Sequence, residues 1–389
     1  MYLSKPMDRR TFAKVAGAAA ATMAGAAALS GCANNQPESE EAPAGEEAPA
    51  ADIAINDEVE ELNLVVLGKD IKIPAIILAQ AFGYYEEEKL TVNTQTVSGG
   101  FPEAMPALSN GSADVLPFGS IPTCTYVGQG DDLVIFGGTV TNGSECVTLK
   151  ENADLYHEAE DFRGKRIGCF RMETGHMMIK SWLRENGIVD GEDVEFILLE
   201  SSAAEVAAVE NGELDMCFVN SGYGYVAEQG GACAVAFHPN DMIGHEFPCC
   251  RQSTNRDAYE NKKSQLVKFE IANLRAIYDL QNDREAAIPA LMEYSGQPED
   301  YVTAVIYGTD SYDAAMIFEM DPCTDSVKEF YGAMVDNGDI ENPDKDLIDG
   351  HLDSSIYRTA LQTLIDRGEN AEFYQELLDV CNQKNTMGV

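Results

Sequence analysis

The 389 residues contain neither a CxxC nor an HExxH motif, so no metal-ligand spacing stands out. Basic side chains are scarce. Only 26 Lys and Arg face 66 Asp and Glu, a formal charge of −40 at pH 7. A surface of this sign repels nucleic acid and anionic membrane surfaces, and argues against nucleic acid as a partner. It does not exclude an anionic ligand, because a buried site is governed by its local donors. The apolar stretch from Val15 to Ala28 is mostly Ala and Gly. It falls short of the ~20 residues that a membrane span needs. Of ten cysteines, Cys32 is set apart by its neighbours, which leaves nine. An odd set with no repeated spacing is no disulfide framework. Cys169, Cys217 and Cys233 sit in or beside apolar strand-like runs, where buried free thiols are common.

What is present begins with an address. Arg9-Arg10 followed by Phe12 and Lys14 matches a twin-arginine export signal, except that Asp8 stands where Ser or Thr is usual. The small-residue core follows, and Leu29-Ser30-Gly31-Cys32 closes it as a lipobox. Cys32 is therefore expected to carry lipid, with residues 1–31 as signal peptide. Residues 32–61 are rich in Pro, Ala and acids and have no Lys or Arg. Such composition cannot repay ordering entropy, so a disordered acidic tether is expected, held extended by its like charges.

From Leu62 the pattern changes to strand, helix, strand, helix, strand. Leu62–Leu67 is a run of β-formers, and Pro74 stands where a first helical residue needs no N–H donor. Thr91–Val97 alternates and is rich in Val and Thr, which reads as a strand. Strands alternating with helices imply a parallel sheet, and such sheets bind ligands beyond the carboxyl ends of their strands. Three turns arrive there: 68–72, 98–101 and 118–121. A second half repeats the scheme with strands at 165–170, 194–199, 214–219 and 232–237. The words NGSADVLPFG and NGELDMCFVN echo one another across the halves. The segment 151–166 reads as the crossing between them, with His157 exposed, and 245–252 as the strand that returns. Leu133–Phe136 reads as a strand ended by Gly137-Gly138-Thr139. Met316, Ile317 and Phe318 read as core, and helices follow near 266–280, 284–294, 299–306, 324–336, 347–364 and 371–382. Pro106 is expected either to delay or to kink the helix that begins near Pro102.

The wording IPAIILAQAFGYYEEEKL, then a Gly-bearing turn, then ALSNGSADVLPFGSIP, resembles the solute-binding proteins of ABC importers. Within them it is similar to the nitrate, sulfonate, taurine and thiamine-precursor branch, over about residues 62–365. The resemblance implies an α/β, two-lobed periplasmic-binding-protein type II fold. Each lobe would be a mostly parallel sheet flanked by helices, with a helical C-terminal end on lobe one. It places 62–160 and 247–389 in lobe one and 161–246 in lobe two. It also implies a lipid-anchored monomer on the outer face of the cell membrane. That receptor would capture a small, anionic ligand and hand it to an ABC permease, with no cofactor, no metal and no catalysis.

The residues expected to touch ligand are Lys69, Asp70, Ser98, Gly99, Gly100, Phe101, Gly119, Ser120 and Thr139 from lobe one. From lobe two come Arg171, Thr174, His176, Asn220, Ser221 and Tyr223. Lys69 and Arg171 would clamp an anion from opposite sides. Thr174, at a helix start with free N–H groups beyond it, could seat a sulfonate or carboxylate oxygen. Tyr84, Phe101, Phe118 and Tyr223 would suit a planar ligand, though Tyr84 also reads as core. Two other readings stay open. One is an iron-dependent enzyme similar to thiamine-pyrimidine synthases, which carry a histidine near the first helix and a cysteine cluster on the return strand. Here Lys72 stands in the histidine's place, and Cys249-Cys250 is only a pair. Adjacent strand positions point to opposite faces, which argues against both thiols gripping one ion. The other is an extracytoplasmic ligand sensor.

Overall fold

The computed structural model describes residues 53–171 and 173–386. The expected signal peptide, Cys32 and most of the tether lie outside the described residues. The tether's last residues are not a free linker. Ile53 and Ile55 pack on the core of lobe one. Asn56 N–H donates to Ser264 Oγ at 2.9 Å, and Lys268 Nζ donates to the Glu58 carbonyl at 2.7 Å. Two isoleucines among the acids are enough to dock this stretch, so order begins before residue 62.

Eleven strands form two sheets among the described residues. Lobe one holds β1 (Glu60–Leu67), β2 (Leu90–Val97), β3 (Val115–Leu116), β4 (Leu133–Asn142), β10 (Pro248–Asn255) and β11 (Met316–Phe318). Their order is β11-β4-β10-β3-β1-β2. Lobe two holds β5 (Ser144–Leu149), β6 (Arg166–Phe170), β7 (Glu195–Leu199), β8 (Met216–Asn220) and β9 (Cys233–Phe237), in the order β7-β6-β8-β5-β9. Both sheets are mixed. The β1–β2 and β1–β3 pairs and the β6–β7 and β6–β8 pairs are parallel, as the strand–helix alternation requires. The strands next to the crossings run antiparallel.

The crossing comes earlier than the sequence indicates. β5 bonds to β8 and β9 in lobe two, so the chain changes lobe at Asn142-Gly143 and not along 151–166. Both residues have positive φ, 61° and 86°, and this left-handed pair turns β4 directly into β5. Residues 150–162 instead form two short 3-10 turns on lobe two, with His157 exposed beside them. β4 also runs on through Gly137, Gly138 and Thr139 rather than ending there. At Gly138 the space of a side chain is filled by the Asp321 carbonyl, so glycine allows close approach here rather than breaking the strand. Met316 and Phe318 are buried, as expected of core, but on a strand. The helix Phe101–Ser109 starts without delay and carries Pro106 inside it.

Alternation along the central strands separates two cores in lobe two. Cys146 and Phe218 face one side with Phe162, Ile167 and Ile179. Val147, Cys217 and Val219 face the other with Val209 and Leu214. In lobe one the helix Lys263–Asn282 buries Leu266, Phe269, Ile271 and Leu274. It lies between the helices Pro74–Ala81 and Ser355–Arg367. The C-terminal helices reach lobe two as well: Arg184 Nη1 donates to Asn337 Oδ1 at 2.7 Å, and Asn337 Nδ2 donates to the Met177 carbonyl at 3.0 Å. All nine described cysteines are buried free thiols. No described helix is long and apolar enough to cross a membrane.

Phe269 stacks on Tyr85 at 5.4 Å with neither ring exposed, and Tyr85 Oη donates to Asn273 Oδ1 at 2.6 Å. Phe269→Ala is expected to destabilise lobe one by about 3–5 kcal/mol, read as a fall in the urea midpoint. A midpoint within error of wild type would contradict this placement of the core.

Candidate functional site

The parallel strands of both sheets end at one crevice, where β4 becomes β5 and β10 returns. Lys72, just ahead of the helix Pro74–Ala81, crosses it. Its Nζ donates to Asn220 Oδ1, at the end of β8 in lobe two, at 2.7 Å. The side chain is only 7% exposed. Burial disfavours the ammonium, but Cys249, Asp70, Cys250 and Glu173 together outweigh it and hold the pKa above the usual lysine value. Asp70 also fixes the loop by accepting the Lys72 N–H at 2.9 Å.

Under Lys72 lies the cysteine pair. The pleat argument for opposite faces fails, because β10 is irregular at this point. The register against β4 shifts between Pro248 and Cys250 and again between Cys250 and Arg251. The two sulfurs consequently stand 3.8 Å apart. The neighbouring Cys250 thiol, then Lys72 and Thr174, pull Cys249 down to about 6 against the opposing effect of burial. Cys250 is pushed up by Cys249 and by burial. Arg251, fully buried, spends its guanidinium on the carbonyls of Pro322, Val140 and Cys250 and on Thr141 Oγ1. It braces the strand rather than facing the crevice.

The lobe-two wall is carboxylate. Glu173 is the N-cap of the helix Thr174–Glu185 and is fully buried. It accepts from Gly175 N–H and His176 N–H, each at 2.7 Å, from His176 Nδ1 at 3.2 Å, and from Ser144 Oγ. Burial raises its pKa, yet His176, Ser144 and the helix end more than reverse this and keep it ionised. The expectation of free N–H groups beyond Thr174 is therefore corrected: the chain's own carboxylate holds them. Glu145, on β5, does the same for the helix Tyr223–Gly230. It accepts from Gly224 N–H at 2.8 Å and from Tyr312 Oη. A side chain at Gly224 would overlap that carboxylate. Burial raises Glu145 to about 7. Tyr312 belongs to an aromatic bridge between lobes, with Tyr225 edge-on to Tyr301 at 6.0 Å and to Tyr312 at 5.3 Å.

Of the residues expected from sequence, several converge. Ser120, Thr174 and Ser221 are buried, and their hydroxyl oxygens have no conventional hydrogen-bond partner. Thr139 is buried beneath them with Oγ1 aimed at the carbonyls of Pro117 and Cys250, and His176 lies on Glu173. Phe101 packs against Gly119. Ser221 N–H bonds to the Gly143 carbonyl at 3.0 Å, which ties it to the crossing. Tyr223 is 45% exposed. Ser98, Gly99, Lys69, Asp70 and Arg171 have exposed positions, with Gly100 half-buried. Phe118 and Tyr85 are core, and Tyr84 bonds to Asp279 away from the crevice. Sequence reasoning did not bring Lys72, Glu173, Glu145, Tyr301 and Tyr312 into the ligand set. Among the described residues no three His, Cys, Asp or Glu side chains gather as a metal site, so the iron that a synthase-like reading needs has no matching donor set. Lys72→Met should raise the Cys249 pKa. Thiolate absorbance at 240 nm, taken against Cys249→Ser, should show its midpoint moving upward; an unmoved midpoint would contradict the influence of Lys72 on this thiol.

The profile of the family described as NMT1/THI5 like matches residues 71–287. No curated protein sequence matches the chain. Among solved structures, the fold is similar to the periplasmic aliphatic sulphonate binding protein SsuA of Escherichia coli. The two are 18% identical over 75% of this chain and 91% of that one, with a TM-score of 0.59. The periplasmic nitrate-binding protein NrtA of Synechocystis is 15% identical over 84% and 99%, at 0.63. The desulfurization enzyme DSZB is 12% identical over 78% and 99%, at 0.56. The fold is thus that of the periplasmic binding proteins, and the chain belongs to the NMT1/THI5-like family.

Proposed function

We propose that this protein is an exported solute-binding receptor that closes its two lobes over a small organic ligand and delivers it to an ABC permease. The observation that carries the reading is the Lys72–Asn220 bond across the crevice, with unpartnered Ser120, Thr174 and Ser221 hydroxyls from both lobes around it. A receptor needs polar groups that are satisfied only when a guest is present, and contacts made only in the closed state. Residues 1–31 would direct export through the twin-arginine route, and lipid on Cys32 would hold a monomer at the outer face of the membrane beside its permease. The twin-arginine and lipobox patterns of residues 9–32, together with a fold that the sulphonate and nitrate receptors share, support this reading.

The enzyme reading draws on one observation, the depressed Cys249 thiol, and on a fold that DSZB also uses. Turnover separates the two. A receptor gives saturable binding and leaves its ligand chemically intact. In a thermal-shift screen of small metabolites, a ligand present at a hundred times its Kd should add about 2.7 kcal/mol of stability. Asn220→Ala should weaken that ligand at least tenfold, because it removes the lobe-two partner of Lys72. Conversion of the ligand during mass-spectrometric recovery would refute the receptor.

A further inference from the structure

Two of the nine described cysteines differ from the rest. Cys249 and Cys250 keep 6% and 5% of their surface exposed, and the other seven keep 3% or less. The two sulfurs stand 3.8 Å apart. Burial pushes the seven thiols elsewhere upward, away from the reactive thiolate form. Cys249, alone among the described cysteines, is drawn below its usual range, by the Cys250 thiol first and, against burial, by Lys72. A thiolate beside a thiol is where disulfide exchange begins.

The backbone leaves this pair room to change. Pro248 pairs with Thr141 on β4 and Cys250 with Val140, so Cys249 is the extra residue of a bulge and has no opposite number. The Cys250 carbonyl is anchored by Thr139 Oγ1 at 3.3 Å and Arg251 Nη1 at 3.0 Å, which directs movement to Cys249. An S–S bond is about 2.05 Å long, so closing it brings the sulfurs together by about 1.8 Å. That movement falls at the crossing between the lobes. A side chain at Gly143 would meet the Cys249 sulfur at 3.4 Å. Phe247, two residues before Cys249, exchanges hydrogen bonds with Asn142: the Asn142 N–H donates to its carbonyl at 2.9 Å, and its own N–H donates to Asn142 Oδ1 at 3.2 Å. Neighbouring Cα atoms are about 3.8 Å apart, short of the roughly 4.4–6.8 Å usual across a disulfide. The bond would be strained, and a strained disulfide is readily reduced. It suits a switch better than a staple.

We infer that Cys249 and Cys250 are a redox site that closes reversibly to a disulfide by exchange with an external disulfide, and that its state is transmitted to the Asn142–Gly143 crossing. The Cys249 thiolate attacks one sulfur of the incoming disulfide, whose S–S bond breaks and releases one thiolate. The Cys250 thiol then gives up its proton and attacks the Cys249 sulfur, and a second thiolate leaves. The pair loses two electrons and two protons, and the incoming disulfide gains both as it becomes two thiols. The exported location proposed above supplies oxidising surroundings. The site operates whatever the crevice binds.

Exposure of the full chain to oxidised glutathione, then acid quenching, alkylation in denaturant and cleavage after Glu, tests it. Glu246 and Glu260 bound a peptide, Phe247–Glu260, whose only cysteines are Cys249 and Cys250. It should be recovered two hydrogens lighter and without alkyl groups, and prior treatment with dithiothreitol should restore alkylation of both. Cys250→Ser should stop at the mixed disulfide between Cys249 and glutathione, and Cys249→Ser should react at least about tenfold more slowly. Should a serine variant fail to fold, the wild-type peptide decides alone. The Asn142 amide should exchange its hydrogen at least about threefold faster in the oxidised chain. A Phe247–Glu260 peptide that stays doubly alkylated would overturn the inference, as would a bond from either cysteine to a third. Equal exchange at Asn142 in the two states would overturn the transmission to the crossing.

Discussion

A buried ammonium has to be matched, and the crevice is arranged around that requirement. Removing Lys72 from water without partners would cost several kcal/mol, and losing one partner of a buried charge typically costs 3–5. The structure answers with Asn220 from lobe two, the Cys249 thiol beneath, and Asp70 and Glu173 nearby. Each partner depends on something local. Cys249 comes within reach through the irregular start of β10, Glu173 through its seat on a helix end, and Asn220 through the crossing that pins Ser221 to Gly143. The contact spans the crevice between the two sheets.

The periodic parts of this fold were legible in the sequence. Leu62–Leu67 and Thr91–Val97 anticipate β1 and β2 to within two residues, and Ser201 caps its helix through Ala204 N–H. Local pattern fixes such elements because their side-chain alternation or cap lies within a few residues. The crossing was not legible. β5 looks the same in either sheet, and only its pairing with β8 and β9 assigns it. The bulge at Cys249 was hidden for the same reason, since register belongs to two strands. The positions of Thr174, Asn220 and Ser221 at the crevice followed from their places at strand and helix ends. Glu173 did not, because an acid before a helix reads as an ordinary cap until its burial is known. Tyr301 and Tyr312 reach the crevice from far along the chain, and no local signal marks them.

The fold is shared by receptors and by an enzyme, so it cannot choose between them. The choice lies in what the crevice residues have left to give. Here Glu173 and Glu145 take the Gly175, His176 and Gly224 N–H groups, Lys72 is compensated, and the Ser120, Thr174 and Ser221 hydroxyls remain. That inventory supports the receptor reading proposed above.

The most direct test of this account is small-angle X-ray scattering of the protein with and without a saturating amount of the ligand that the metabolite screen yields. The account predicts a smaller radius of gyration with ligand in wild type, and little or no contraction in Lys72→Met. An unchanged radius at saturation in wild type would contradict it.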